Sequence, residues 1–278
     1  MSANFNYEHM FTYLKGFTSA MNWTDAQNAL LFARKAHEGQ TRKSGQPYIV
    51  HPLTVACHAI ALGIRNEIII AGALLHDVPE DCHVEVDDLP VSNPKIKDVV
   101  RRLTHVKPTP LAVYYAEIAK SPEATIIKLL DRCDNVSTMA GVFSIEKTYD
   151  YIQETHEFVM PLYRKAKTDW PEYSDTLFVL KYHILSVVDG LQAVLDIHED
   201  ASCTAPIGVV IAQLATEKKT RLTSIAKQVG MKYGSLLDIA SGRLKPTKAD
   251  LAKLAESLGI KAEHLENAVT AGSTTEKD

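Results

Sequence analysis

His51, His76, Asp77 and Asp131 are side chains of the kinds that bind divalent cations, and each lies in or beside an otherwise apolar stretch. His51 stands before Pro52 at a loop-to-helix junction. His76-Asp77 ends the run from Ile68 to Leu75, and Asp131 lies within Lys128-Leu-Leu-Asp131-Arg-Cys-Asp-Asn135. A carboxylate in such surroundings is costly unless it is paired or coordinates a cation. Two imidazoles and two carboxylates form a mixed N/O donor set. With water in the open positions, it suits an octahedral ion such as Mn²⁺ better than a closed tetrahedral zinc site. Such an ion polarises phosphoryl oxygens and lowers the pKa of water, which is hydrolytic chemistry. Glu80-Asp81 follows at once and supplies carboxylates for moving the proton of an attacking water. Taken singly, each residue has a structural explanation: a capping histidine, a common dipeptide, a solvated turn. Their combination in helices that are otherwise apolar favours a site.

The elements that must hold these groups read as helices. Lys128, Asp131, Asn135 and Thr138 recur at helical spacing and make a polar stripe among Ile126, Ile127, Leu129 and Leu130. Ser121-Pro122 starts that helix, which runs through Met139. Upstream, Thr24 with Gln27 reads as a capping box, and Ala26, Leu30, Ala33 and His37 share a face. Pro52 marks a first helical position, Gly63 a helix end and Asn66 a cap. Ile68 to Leu75 is apolar on all sides and belongs in the middle of a bundle. Pro79 ends or kinks it. Further helices are expected over 144–167 and 176–198. No alternating strand pattern appears, so the fold class is all-α.

The 278 residues give room for a large domain with a small companion. The net charge of −4 gives no whole-chain argument for nucleic acid or membrane. No apolar run is expected to span a bilayer, and no signal-peptide pattern opens the chain. Cys57, Cys82, Cys133 and Cys203 are scattered, as free thiols in a reducing compartment would be, and the cytoplasm follows as the expected location.

The run Ala36-His-Glu-Gly-Gln-Thr-Arg42-Lys43-Ser-Gly-Gln-Pro-Tyr-Ile-Val-His51-Pro52 resembles the opening motif of the RelA/SpoT-type alarmone hydrolases. His76-Asp77-Val-Pro-Glu80-Asp81 resembles their HDxxED motif, and residues 115–135 resemble their last HD motif. The likeness covers roughly residues 24–167. It implies an HD-domain bundle in which His51, His76, Asp77 and Asp131 hold one Mn²⁺ and Glu80 and Asp81 act on the attacking water. Arg42 and Lys43 would meet the base and phosphates, and Asn135 and Thr138 the nucleoside. The substrate would be guanosine tetra- or pentaphosphate, losing its 3′-pyrophosphate. The family's long members carry a synthetase domain, and the resemblance here is to the small, hydrolase-only members. Pro79 replaces an aliphatic residue. Cys133 and Asp134 also depart from the pattern, at positions expected to tolerate change. Two rival readings remain: an HD enzyme for another nucleotide, such as a nucleotidase or NADPH phosphatase, and a DNA-binding regulator whose HD domain only senses a nucleotide. A pure sensor has no use for Glu80 and Asp81.

After a linker at 200–206 the composition turns basic: residues 217–261 hold 10 Lys/Arg against 4 Asp/Glu. The expected division is therefore 1–200 for the HD-type domain and 201–278 for a small domain of four to five helices with a polar tail from Gly272. Ala226, Gly230, Leu236 and Ile239 have the spacing of a helix-turn-helix. Lys232, Tyr233 and Ser235 would start its recognition helix, with Arg243, Lys245 and Lys248 toward phosphates. The same fold also serves as a dimerisation module, so DNA is one candidate partner.

Overall fold

The computed structural model describes residues 7–273; the polar tail expected from Gly272 lies outside them after Ser273. The helices are α1 (Tyr7–Ala20), α2 (Thr24–Ala36), α3 (Val50–Ala61), α4 (Glu67–Leu75), α5 (Val78–Cys82), α6 (Pro94–Leu103), α7 (Leu111–Ile118) and α8 (Pro122–Met139). They continue as α9 (Ile145–Glu154), α10 (Met160–Asp169), α11 (Ser174–Ser202), α12 (Pro206–Glu217), α13 (Leu222–Val229), α14 (Tyr233–Ala240), α15 (Lys248–Leu258) and α16 (Ala262–Ser273). Among the described residues there is no strand, only one antiparallel bridge between Thr41 and Pro47. The class is all-α.

Two compact units form: one from the residues through Phe143 with Tyr151–Val188, the other from Ser144–Asp150 with Asp189 onward. The expected boundary at 200 thus moves to 188/189, inside α11. The expected linker is not one. Helix α11 continues to Ser202, Cys203 is buried in the second unit's core, and α12 begins at Pro206.

Helix α4 is the centre of the first unit. Every residue from Ile69 to Leu75 is buried, and the helix packs against α2, α3, α6 and α8. Each large aliphatic side chain buried there contributes about 1.5–3 kcal/mol. Asn66 caps α4 by accepting from the Ile68 amide at 2.9 Å. The start of α2 differs from expectation. Thr24 makes no capping bond; instead Glu67 of α4 accepts from the amides of Asp25 and Ala26 at 2.9 and 3.2 Å. The cap comes from 42 residues away, where local spacing cannot show it. Ser121 caps α8 as expected, through the Ala124 amide at 3.2 Å. The long helix expected over 144–167 runs unbroken as α9, a π turn at Thr155–Val159 and α10.

One helix overturns an expectation. Pro171–Ser202 is long and apolar enough to cross a membrane by length and composition, with mean hydropathy 1.4 over its window. Lys181, Asp189 and Asp196 break its apolar run, which is why the sequence reads shorter. Leu177, Leu180, Ile184 and Val188 of this helix are fully buried.

In the second unit, α13 ends at Gly230, which takes φ +70°, and α14 follows from Tyr233. The left-handed conformation is one that glycine adopts without strain. Ile225, Ala226, Leu236 and Ile239 form the packed interior with Ile207, Ile211, Leu251 and Leu254.

Candidate metal centre

Three elements deliver the four candidate donors. His51 is the second residue of α3, His76 and Asp77 form the turn between α4 and α5, and Asp131 lies at mid-length in α8. His51 Nε2 is 3.2 Å from His76 Nε2, 3.3 Å from Asp77 Oδ2 and 3.2 Å from Asp131 Oδ1. His76 Nε2 is 3.2 Å from Asp77 Oδ1 and 3.8 Å from Asp131 Oδ1. Edges of this length fit donors at roughly 2.0–2.3 Å from a common centre.

The outer contacts decide what those donors present. His76 Nδ1 lies 2.8 Å from the Ala73 carbonyl oxygen, which accepts only a proton donor, so Nδ1 carries hydrogen. His51 Nδ1 lies 2.6 Å from Asp134 Oδ2, so the same holds there. In the neutral imidazoles both Nε2 atoms then carry lone pairs; with a carboxylate oxygen of Asp77 they lie within 4.8 Å of one another, and Asp131 Oδ1 faces both nitrogens. Both rings are nearly fully buried. Lone pairs held this close repel one another unless a cation or protons stand between them, and the donor types fit a divalent cation.

The groups perturb each other accordingly. Burial opposes a charge on His51, but Asp131, Asp134 and Asp77 outweigh it and hold the imidazole well above its usual value. Burial likewise raises Asp131, yet Lys128, with Nζ 2.9 Å from Oδ2, and the two histidines hold it well below the carboxylate range. Asp77 is lowered in the same way, against burial, by His76 and His51, and it accepts the Tyr48 hydroxyl at 2.8 Å.

Beside the donors opens a cavity of about 330 Å³, lined by all four of them and by Glu80, Asp81, Asn135, Lys128, Arg132 and a wall of tyrosines, Tyr48, Tyr114 and Tyr151. Burial pushes Glu80 up, partly offset by the His105 amide, which donates to its Oε1 at 2.5 Å. A carboxyl so placed holds a proton nearer neutral pH than an exposed one.

The expected substrate contacts divide. Asn135 borders the cavity. Arg42, Lys43 and Thr138 are not among its lining residues. Arg42 donates to Asp134 at 2.9 Å and Asn135 at 2.7 Å, Lys43 is exposed, and the Thr138 hydroxyl donates back to the Asp134 carbonyl at 2.9 Å. Asp134, expected to tolerate change, instead touches both His51 and Arg42. Sequence reasoning gave Arg132 no role. Its side chain is 1% exposed, paired to Glu154, and stacked 3.8 Å from the Tyr151 ring centroid. An arginine inside a helix of buried aliphatics was the available signal.

In the second unit Tyr233 is also misplaced by the sequence reading. It is 3% exposed, and its hydroxyl donates to Glu199 at 2.8 Å, so it is part of the interior. Lys232, Arg243, Lys245 and Lys248 are exposed, although Arg243 is paired with Asp238.

Residues 29–111 match the HD domain family model, a stretch that holds His51, His76, Asp77, Glu80 and Asp81 but ends before Asp131. A guanosine-3′,5′-bis(diphosphate) 3′-pyrophosphohydrolase of Aquifex aeolicus is 36% identical over 147 residues, covering 50% of this chain and 21% of that protein. The bifunctional (p)ppGpp synthase/hydrolase SpoT of Escherichia coli K12 is 32% identical over 180 residues, covering 58% of this chain and 25% of SpoT. The chain thus spans about a fifth to a quarter of the length of these curated relatives. A solved metazoan ortholog of SpoT, described as hydrolysing ppGpp, aligns with TM-score 0.48 and 21% identity over 60% of this chain and 95% of its own.

Proposed function

We propose that this chain, which carries an HD domain, is a metal-dependent pyrophosphohydrolase that removes the 3′-pyrophosphate of (p)ppGpp. The observation that carries the proposal is the clustering of His51, His76 and Asp77, with Asp131 against both histidines, beside a cavity that also holds Glu80 and Asp81. A divalent ion there, proposed as Mn²⁺, supplies a Lewis acid for a phosphoryl oxygen and lowers the pKa of water. Glu80, with its raised affinity for a proton, takes the proton from the attacking water, and Asp81 orients that water. Water adds to the phosphorus on the 3′-oxygen and that P–O bond breaks. The 3′-oxygen leaves with a proton, giving GDP or GTP and pyrophosphate. Asn135 faces the nucleoside from the cavity wall, and the tyrosines offer flat surfaces to a base. Arg42 would meet phosphate only by giving up its bonds to Asp134 and Asn135, while Lys43 and Thr138 would meet substrate at the rim. The substrate class is supported by what the relatives are named for, and the cytoplasm is the proposed compartment. Chelation abolishes turnover in this reading and Mn²⁺ restores it. Full activity in a demonstrably metal-free sample would end it.

For the second unit, the exposed Lys232 at the α13–Gly230–α14 turn and the exposed Lys245 and Lys248 around the start of α15 support DNA as a partner. An anisotropy titration with mixed-sequence duplex at low salt tests this. Binding that falls steeply with salt supports it, and no binding assigns the unit to assembly.

A further inference from the structure

Resting on the metal reading above, the surroundings of Asp134 go further than that reading does. The two histidines are oriented by different means. His76 is held by a backbone carbonyl, that of Ala73 in its own helix. His51 is held by a side chain, Asp134, whose Oδ2 lies 2.6 Å from Nδ1. The same oxygen accepts from Arg42 Nη1 at 2.9 Å. Arg42 Nη2 donates to Asn135 Oδ1 at 2.7 Å, and Asn135 Nδ2 donates to Asp131 Oδ1 at 2.5 Å. The planar guanidinium therefore grips two consecutive residues of α8, and each of these grips one donor of the metal centre: Asp134 holds His51, and Asn135 holds Asp131.

We infer that Asp134 is a positioning residue for metal binding, fixing His51 with Nε2 free for the ion, and that Arg42 braces both metal donors through Asp134 and Asn135. A carboxylate on the far nitrogen of a ligand imidazole fixes ring and tautomer and makes the ligand nitrogen a better donor. Arg42 keeps that carboxylate ionised and fixed in place, because its fork geometry matches two acceptors at once. Removing Asp134 leaves Nδ1 of a ring only 2% exposed without its partner, and the ring is then free to turn or to move its hydrogen to Nε2. Arg42 thus acts on the centre from outside the cavity, a task different from the substrate contact its position in the motif implies.

The test is a Mn²⁺ titration of the full chain by calorimetry, without substrate. Asp134→Ala is expected to weaken Mn²⁺ binding about 10–100-fold. Asp134→Asn keeps an oxygen that accepts from Nδ1–H, and is expected to recover much of that loss. Arg42→Ala leaves Asp134 in place but unbraced, and is expected to weaken binding less than Asp134→Ala. Far-UV circular dichroism in chelator is expected to match wild type, which shows that each variant folds, and Arg42→Ala, altered outside the core, decides the matter if Asp134→Ala does not fold. Wild-type affinity in Asp134→Ala or Arg42→Ala overturns this inference while the metal reading stands. So does an Asp134→Asn affinity no better than that of Asp134→Ala. A wild-type chain that takes up no Mn²⁺ overturns the metal reading and this inference with it.

Discussion

Replacing Glu80 by Gln separates the chemistry from the metal centre. Gln keeps the length of the side chain and an oxygen that accepts the His105 amide, a contact made at 2.5 Å in the wild type. The backbone there keeps a partner, so stability changes by no more than about 1 kcal/mol, the difference between a charged and a neutral acceptor. What the variant loses is the ability to take a proton. A missing general base lowers kcat by about 10²–10⁴-fold, which at 1.36 kcal/mol per factor of ten is about 2.7–5.4 kcal/mol of barrier. Because burial holds Glu80 above the usual carboxylate range, the wild type loses activity as pH falls through that raised value and the base becomes protonated. Glu80→Gln no longer shows that limb, and any fall caused by protonation of His51 and His76 remains. The assay is kcat against pH at saturating substrate, with bound metal measured on the same samples. A variant that loses metal yet keeps wild-type turnover per bound ion refutes the assignment, since Glu80 would then hold the ion rather than the proton.

Asp77→Ala removes one of four donors and is expected to leave the purified chain without bound metal, read by elemental analysis against a folded-state control; full occupancy contradicts the donor set. Glu154→Ala strips the buried Arg132 of its carboxylate, and breaking such a pair costs about 3–5 kcal/mol. The Tyr115 hydroxyl at 2.9 Å and the Tyr151 ring keep the effect near the lower figure, and a denaturant midpoint within error of wild type contradicts it. Gly208→Ala would place a Cβ 2.0 Å from the Ala240 carbonyl oxygen, which already accepts from the Ala205 amide. Backbone cannot yield as a side chain does, so the second unit is expected to lose about 1–3 kcal/mol, visible as an earlier thermal transition.

The polar residues inside apolar helices carried most of what the sequence could tell about the site. His51, the His76-Asp77 turn and Asp131 come from three separate elements, yet each is legible because a polar group among apolar residues is unfavourable alone. Helix positions in the first unit were equally readable at Asn66 and Ser121, where the capping residue adjoins its own helix. Contacts across the fold were not. Glu67 caps α2 from 42 residues away, and the role of Asp134 depends on where the loop at Arg42 returns to α8. A departure from a motif looks like tolerance when only the motif is compared; the contact to His51 makes Asp134 part of the centre. Arg42 was expected in the pocket because charge and spacing give a residue's reach but not its partners. Tyr233 shows the same limit, since a position at the start of a helix does not say which face is inside.

The central claim is that this chain breaks the 3′ P–O bond of (p)ppGpp with a metal held at His51, His76, Asp77 and Asp131. The most direct measurement follows purified protein with Mn²⁺ and ppGpp by phosphorus NMR. The account predicts GDP and pyrophosphate in equal amounts, formed only with metal and not by Asp131→Ala. Unchanged ppGpp alongside ready turnover of NADPH or a nucleotide monophosphate would contradict it.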